Sequence, residues 1–335
     1  MVCYHPIEAV LPVVPDSSGK KHLYFNKGHN SSLYFDDTPI VRSVSDYSEI
    51  KGMKIKVPCG RCIGCRLDYS RHWAVRSLHE AFMNGDNNTF VTLTFNDEHL
   101  PDNYSLSKPY IQSWLKRFRK YYGSDIRYML CGEYGEKFHR PHYHILFYNF
   151  KFPDQKFWTS RNGQIYYRSD TLEKLWSDPY SSASRGFSVI GDVSFESSAY
   201  VARYVTKKFF SKDQSIISEY YGGREPEFML MSRMPGLGNL YLHKYYKDIF
   251  NHGYIVLPNK HKAPIPRYYV NELKNIDEEF YNRYKVDKLY ELYNNLFVDN
   301  PDKTQQRLLA REELKKMNCD RLYRTYEMDT FLHNI

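Results

Sequence analysis

The sequence predicts an α+β protein: a mainly antiparallel sheet with helices packed on it, followed by a helical C-terminal extension. Three observations carry that expectation. Short alternating or continuous apolar runs bounded by Gly, Asn and Asp read as strands, and longer stretches with apolar residues every three or four positions read as helices. Their order is strand, helix, strand, turn, strand, then a later strand and helix. From residue 269 onward, Tyr, Leu and Phe recur at helical spacing among charges.

Residues 1–58 are rich in Ser, Asp, Pro and Gly and read as an irregular N-terminal region with short β-like runs at 23–25 and 55–57. The segment C-G-R-C-I-G-C at 59–65 leads into a helix over 67–83, where Trp73, Val75, Leu78 and Phe82 recur at helical intervals. Residues 89–95, T-F-V-T-L-T-F, alternate and predict a strand half buried on one face. Ser107 reads as an N-cap with Pro109 tolerated in the first turn. Ile111, Trp114, Leu115 and Phe118 then form one apolar stripe, with Lys116, Arg117, Arg119 and Lys120 elsewhere.

Residues 126–131 and 143–147 read as two strands joined by the turn Gly132-Glu-Tyr-Gly. Residues 172–176 read as helix, 187–190 as strand and 194–210 as helix, whereas 211–267 hold many Gly and Pro and give weak signals. The chain therefore divides into an N-terminal region with a cysteine knuckle (1–66), a core (67–215) and a largely helical region without an assigned role (216–335). There are no internal repeats.

Composition narrows the classes. Of 335 residues, 47 are Lys or Arg and 39 Asp or Glu, a net charge of +8; 32 are Tyr and 20 Phe. Cations with surplus aromatic rings suit single-stranded nucleic acid, whose bases stack and whose phosphates seek positive charge. The N-terminus lacks a secretory signal pattern, and no apolar run approaches the roughly 18 residues of a membrane span. Six cysteines, three of them clustered, point to a reducing compartment and a metal knuckle rather than disulfides. The expectation is a cytosolic protein without membrane association.

The segment R-P-H-Y-H-I-L-F at 140–147 is the most informative. On a strand, His142 and His144 project from one face about 6–7 Å apart, while Tyr143, Ile145 and Phe147 point into a core. Two neutral imidazoles on a rigid strand leave coordination positions open for water or a phosphate oxygen. A third ligand is Glu133, at the end of the preceding strand, or Glu136 in the turn. Two His and a carboxylate suit Mg²⁺ or Mn²⁺ and do not exclude Zn²⁺. Arg140 is placed to hold a phosphate.

The segment S-A-Y-V-A-R-Y-V-T-K-K-F-F at 198–210 supplies a nucleophile. At about 100° per residue, Tyr204 falls near 40° and Lys207 near −20° from Tyr200. Val201, Ala202, Val205 and Phe209 lie on a separate apolar face, so two phenols and an ammonium share a sector away from it. Arg203 and Lys208 flank them. A phenol with a pKa near 10 is a poor nucleophile until a metal and a Lys stabilise its phenolate. In the knuckle, Cys59, Cys62 and Cys65 bring three thiolates together, and Cys3, His5 or His72 supplies a fourth ligand for structural Zn²⁺; free thiols or an iron–sulfur cluster are the alternatives. Cys131 and Cys319 read as buried small residues.

In order, F-V-T-L-T-F, R-P-H-Y-H and Y-V-A-R-Y-V-T-K resemble the three motifs of HUH endonucleases. The chain is most similar to replication initiation proteins of small single-stranded DNA phages, the microviruses and particularly the gokushovirus group. C-G-R-C-I-G-C-R followed by W-A-V-R and H-E-A resembles their N-terminal part, and the likeness runs from Cys3 to about Phe210. The resemblance implies an HUH endonuclease-like antiparallel sheet flanked by helices, with His142, His144 and Glu133 as metal ligands. It implies Tyr200 or Tyr204 attacking a viral origin strand to leave a 5′-phosphotyrosine and a 3′-OH that primes a polymerase. The second tyrosine then acts after one round, and the genome is closed into a circle. Without a G-x-x-x-x-G-K-[ST] loop, helicase and polymerase come from the host, in the bacterial cytoplasm. The rival readings are a relaxase of a mobile element, a zinc-stapled non-catalytic nucleic-acid-binding protein, and a metal-dependent phosphoesterase using water.

Overall fold

A computed structural model describes residues 3–12, 23–26, 42–44, 52–135, 138–161, 163–207, 214–258, 260–296 and 301–320. The chain forms two compact units, one from residues 1–69 and 283–322, the other from 70–282 and 323–335.

In the smaller unit, β1 (Ile7–Pro12), β2 (Tyr24–Asn26), β3 (Arg42–Val44) and β4 (Gly52–Val57) form a sheet in the order β3-β2-β1-β4. The region read as irregular thus contains paired strands. They are short, and burial alternates along β4 only between half-buried and exposed, so the period-2 signal in sequence is faint. Helix α1 (Ile63–Met83) begins inside the cysteine motif, earlier than residue 67. Tyr4, Cys62, Cys65 and Leu308 make a small buried cluster in this unit.

The larger unit runs through β5 (Asn88–Phe95), α2 (Lys108–Tyr122), β6 (Arg127–Tyr134), β7 (Pro141–Tyr148), β8 (Lys156–Arg161), β9 (Gln164–Arg168), α3 (Asp170–Leu175), β10 (Gly186–Gly191) and α4 (Phe195–Lys207). It continues with α5 (Gln214–Tyr221), β11 (Phe228–Met231), α6 (Asn239–His252), β12 (Ile255–Val256), β13 (Lys262–Ala263) and α7 (Arg267–Ile276). Helices α8 (Glu278–Leu296) and α9 (Gln305–Asp320) close the described chain. The expected α+β architecture is present: a seven-stranded sheet ordered β11-β6-β7-β5-β10-β9-β8, every ladder antiparallel, with helices against it and a helical C-terminus.

Alternation along the central strands splits the sheet into two chemically different faces. One carries Val91, Leu93, Leu130, Tyr143, Ile145 and Phe147, all fully buried against the Ile111, Trp114, Leu115 and Phe118 stripe of α2. The Ser107 hydroxyl accepts from the Tyr110 amide at 3.3 Å and starts that helix as expected. Each such aromatic or aliphatic side chain contributes about 1.5–3 kcal/mol through burial, so this face anchors the fold. The other face carries Phe90, Met129, Cys131, Leu146 and Tyr148, packed under Ala74 and Ala81 of α1 and Val201 and Ala202 of α4.

Strand β5 departs from its half-buried reading: all eight residues are buried. The threonines are accommodated inside because their hydroxyls are bonded, Thr89 to the Phe150 carbonyl and the other two to histidines. The 211–267 stretch holds the fourteen-residue α6 between left-handed Gly238 and Gly253. Three of its seven apolar residues are tyrosines and they are interleaved with Lys, His and Asn, which blurs its periodicity.

Candidate active site

The polar residues of the second face sit in register. His142 lies opposite Glu133 on one side and Thr94 on the other, and His144 lies opposite Cys131 and Thr92. Cross-strand partners share a face, so T-x-T, H-x-H and Glu133 project together. Glu133 belongs to β6 itself rather than to the turn, because that strand continues to Tyr134. His142, His144, Glu133, Thr92 and Thr94 are all buried. The two imidazole centroids are 6.3 Å apart.

Both rings are oriented from behind. Thr94 Oγ1 is 2.8 Å from His142 Nδ1, and Thr92 Oγ1 is 2.9 Å from His144 Nδ1. His144 Nε2 meets Glu133 Oε1 at 2.6 Å. The phenol of Tyr200 donates to that same oxygen at 3.2 Å, and its ring meets His144 edge-on at 5.1 Å between centroids. Phe90 stacks on His144 at 5.8 Å. Sequence reasoning quoted the threonines within a motif and gave them no role. Their signal was the shared period: threonines two apart on one strand, histidines two apart on its neighbour.

Helix α4 is set by local chemistry. Ser197 N donates to Ser194 Oγ at 3.1 Å and Ser194 N to Ser197 Oγ at 2.8 Å, a reciprocal cap worth about 1 kcal/mol. Ser198, Ser77 of α1 and Tyr148 of β7 form a buried hydroxyl chain with links of 2.8 and 2.7 Å. That chain holds the helix two residues before Tyr200. The expectation that the tyrosines point away from the packed side is corrected for Tyr200. It is buried in the same cluster as Val201 and Ala202, with its hydroxyl on Glu133 and its ring edge on His144.

Tyr204 and Lys207 follow on the α4 backbone, but their side chains lie outside the described residues, as do Lys208 and the competing ligand Glu136. Arg203 is half-buried. Arg140 is ion-paired with Asp97 and donates to the Phe95 carbonyl at 3.2 Å, so it braces the end of β5.

In the smaller unit the sulfurs of Cys3, Cys59, Cys62 and Cys65 all lie within 4.8 Å of one another. Among the described residues no other set of His, Cys or acidic side chains draws three ligating atoms that close; the histidine–glutamate set is more open. The Cys59–Cys65 and Cys3–Cys62 sulfur separations are 4.0 and 3.9 Å. A hydrogen bond from Cys3 holds the Cys59 thiol down at about 6 and Cys62 lower still. Hydrogen bonding to Cys59 raises Cys3, and to Cys3 raises Cys65. Four such sulfurs could hold a metal ion. His5, the alternative ligand, is 2.6 Å from Glu312. Cys131 is buried as expected, whereas Cys319 is half-exposed.

The comparisons with known proteins bear on this assembly. The family model for the replication-associated protein ORF2 family matches residues 88–209, the span from β5 through the Tyr200 helix. Replication-associated protein VP4 of Bdellovibrio phage phiMH2K is 35% identical over 236 residues, 68% of this chain and 70% of that protein. Replication-associated protein ORF2 of Spiroplasma virus 4 is 34% identical over 246 residues, 69% of this chain and 72% of that protein. Replication-associated protein ORF4 of Chlamydia phage 1 is 29% identical over 272 residues, 75% and 65% respectively. No solved structure matches. The class is therefore that of phage replication proteins. Within it, the chain belongs to the family of microvirus-type replication-associated proteins, the initiators of phage DNA replication. Among the described residues no helix is long and apolar enough to cross a membrane.

Proposed function

We propose that the chain nicks and rejoins single-stranded DNA at the viral origin, with Tyr200 as nucleophile and His142, His144 and Glu133 holding Mg²⁺ or Mn²⁺. The observation that carries this reading is the shared oxygen: the Tyr200 phenol and His144 Nε2 both meet Glu133 Oε1, at 3.2 and 2.6 Å. The donor set suits the ion. Each Nδ1 engaged by a threonine leaves Nε2 as the ligating atom, and a carboxylate beside two imidazoles is a hard, incomplete set. When bound, the cation polarises the scissile phosphodiester and stabilises charge developing on it.

The protein's own groups do the rest. The Tyr200 oxygen attacks phosphorus as its proton passes along the existing hydrogen bond to Glu133 Oε1. A tyrosyl O–P bond forms and the P–O3′ bond breaks, and the departing 3′ oxygen takes up a proton to become a 3′-OH. The bond energy is kept in the phosphotyrosine, so rejoining needs no ATP. The 3′-OH primes a host polymerase behind a host helicase, in the bacterial cytoplasm. Tyr204 serves as the second nucleophile in rolling-circle replication, with Lys207 offsetting the negative charge and Arg203, Lys208 and Arg140 along the DNA.

The cysteine quartet holds a structural Zn²⁺. Tetrahedral zinc with four thiolates at about 2.3 Å sets sulfurs about 3.8 Å apart, close to the 3.9 and 4.0 Å separations here.

The nicking reading is tested by incubating the protein with Mn²⁺ and origin strand and resolving covalent adducts. Wild type gives a nicked product attached to protein. Tyr200→Phe with Tyr204→Phe gives none, and either single change gives one round of cleavage or less. Cutting without attachment would identify a water-using phosphoesterase instead, and binding without cutting a non-catalytic DNA-binding protein.

A further inference from the structure

The histidine face of the sheet extends beyond the histidines. Across β7, β5 and β10, His142 stands opposite Thr94 and Thr94 opposite Phe187; His144 stands opposite Thr92 and Thr92 opposite Val189. Phe187 and Val189 therefore share the histidines' face, about 10 Å away at two strand spacings. Ile190 pairs with Tyr167 on the α2 side, so alternation returns Tyr166 and Arg168 to the histidine side. Trp158 of β8 packs with Tyr166 and Val189, and the Arg168 guanidinium lies over the Trp158 ring at 4.3 Å.

Among the described residues this stretch is accessible at Phe187 and in part at Trp158, while Tyr166 and Val189 are buried. Helix α4 lies against β6, β7 and β11, and α1 packs on Phe90, Leu146 and Tyr148. Phe187 is 36% exposed and Trp158 half-buried. On the histidine side the hairpin carries Trp158, Tyr166 and Arg168, with Lys156 ion-paired to Asp170 at 2.8 Å, whereas Phe157 pairs with Tyr167 on the α2 side. A guanidinium beside partly exposed rings matches unpaired bases on a phosphate backbone; a duplex hides its base faces.

We propose that the β8–β10 face, built on Trp158, Arg168 and Phe187, is a stacking platform for the unpaired nucleotides beside the scissile phosphate. The proposal rests on the nicking reading for its substrate, and it assigns specific residues to holding the strand while Tyr200 and the histidines act on it.

The test is binding without cutting. A labelled thymidine oligonucleotide of about a dozen nucleotides is titrated in EDTA and followed by fluorescence anisotropy. Phe187→Ala and Trp158→Ala should each weaken binding about five- to a hundredfold, and Trp158→Phe should keep most of the affinity. Arg168→Gln should flatten the dependence of log affinity on log salt by about 0.7. Should Trp158→Ala unfold, the exposed Phe187→Ala and the conservative Trp158→Phe carry the measurement. Wild-type affinity and salt slope in Phe187→Ala and Arg168→Gln overturn the platform, and so does an equal loss for duplex of the same length. Adduct assays on the same proteins separate the two ideas. Adducts with unaltered binding in the variants sink the platform alone; weakened binding with no adduct from wild type sinks the nicking reading alone.

Discussion

The two polar clusters of this chain are built on opposite principles. The histidine–glutamate–tyrosine set is assembled by a sheet whose register, hydrogen bonds and aromatic packing fix each ring. The cysteine quartet draws on the chain at residue 3 and at 59–65, where the backbone amides of Tyr4, Cys59, Arg61 and Cys62 donate to three of its sulfurs and all four sulfurs crowd within 4.8 Å. A preorganised set spends little conformational freedom when an ion arrives. Four thiolates crowded this closely repel one another without a cation, so such a set depends on the ion for folding. The two clusters should therefore fail differently when one ligand is removed.

The largest effect is expected at the quartet. Apparent zinc binding by four thiolates contributes about 10–16 kcal/mol in small domains, comparable to an entire folding free energy. Cys62→Ser should lose the single zinc measured by elemental analysis and unfold far below wild type, and a chelator should do the same to wild type. If the chelator strips metal with no change in thermal unfolding, the cysteines are not a structural staple.

At the histidine site the expected loss is in function. Thr92→Val and Thr94→Val keep side-chain shape and remove the hydroxyls at 2.9 and 2.8 Å from His144 and His142. Manganese affinity by titration calorimetry should fall about 10–100-fold per substitution, with folding stability changed by about 1 kcal/mol. Unchanged metal affinity in both variants would reduce the threonines to packing residues.

Much of this was legible in sequence where the period of the side chains was itself the signal. H-x-H on an apolar strand announced its two faces, and the Ile111–Phe118 stripe announced a packed helix. The Ser107 cap was readable because capping is local chemistry. The hairpin that sets Glu133 beside His142 was readable, but the pairing beyond it was not: only the ladder shows that Thr94 flanks His142, or that Phe187 extends the same face. The helical wheel of α4 separated its phenol sector from the apolar one, yet it could not show that Tyr200 is buried in the same cluster as Val201. In the smaller unit β2 and β4 showed only as short β-like runs and β1 and β3 escaped notice, because three- to six-residue strands carry too few alternations to stand out.

A third buried histidine sharpens the contrast between histidines kept for chemistry and histidines kept for packing. His79 of α1 stacks on Tyr241 at 3.7 Å and meets the Tyr269 hydroxyl at 2.8 Å. Burial depresses its pKa from 6.5 to about 3. The folded chain thus keeps this ring neutral where the unfolded chain takes up a proton. Its contribution to stability is complete above pH 6.5 and declines as pH falls toward about 3, with a slope approaching about 1.4 kcal/mol per pH unit. Denaturant unfolding at neutral and mildly acidic pH should reveal that slope, the smallest of these effects per step. His79→Phe preserves an aromatic stack without a titrating group and should remove this part of the acid sensitivity. A variant that retains the full slope would move the proton uptake to another residue and leave His79 as an inert packing ring.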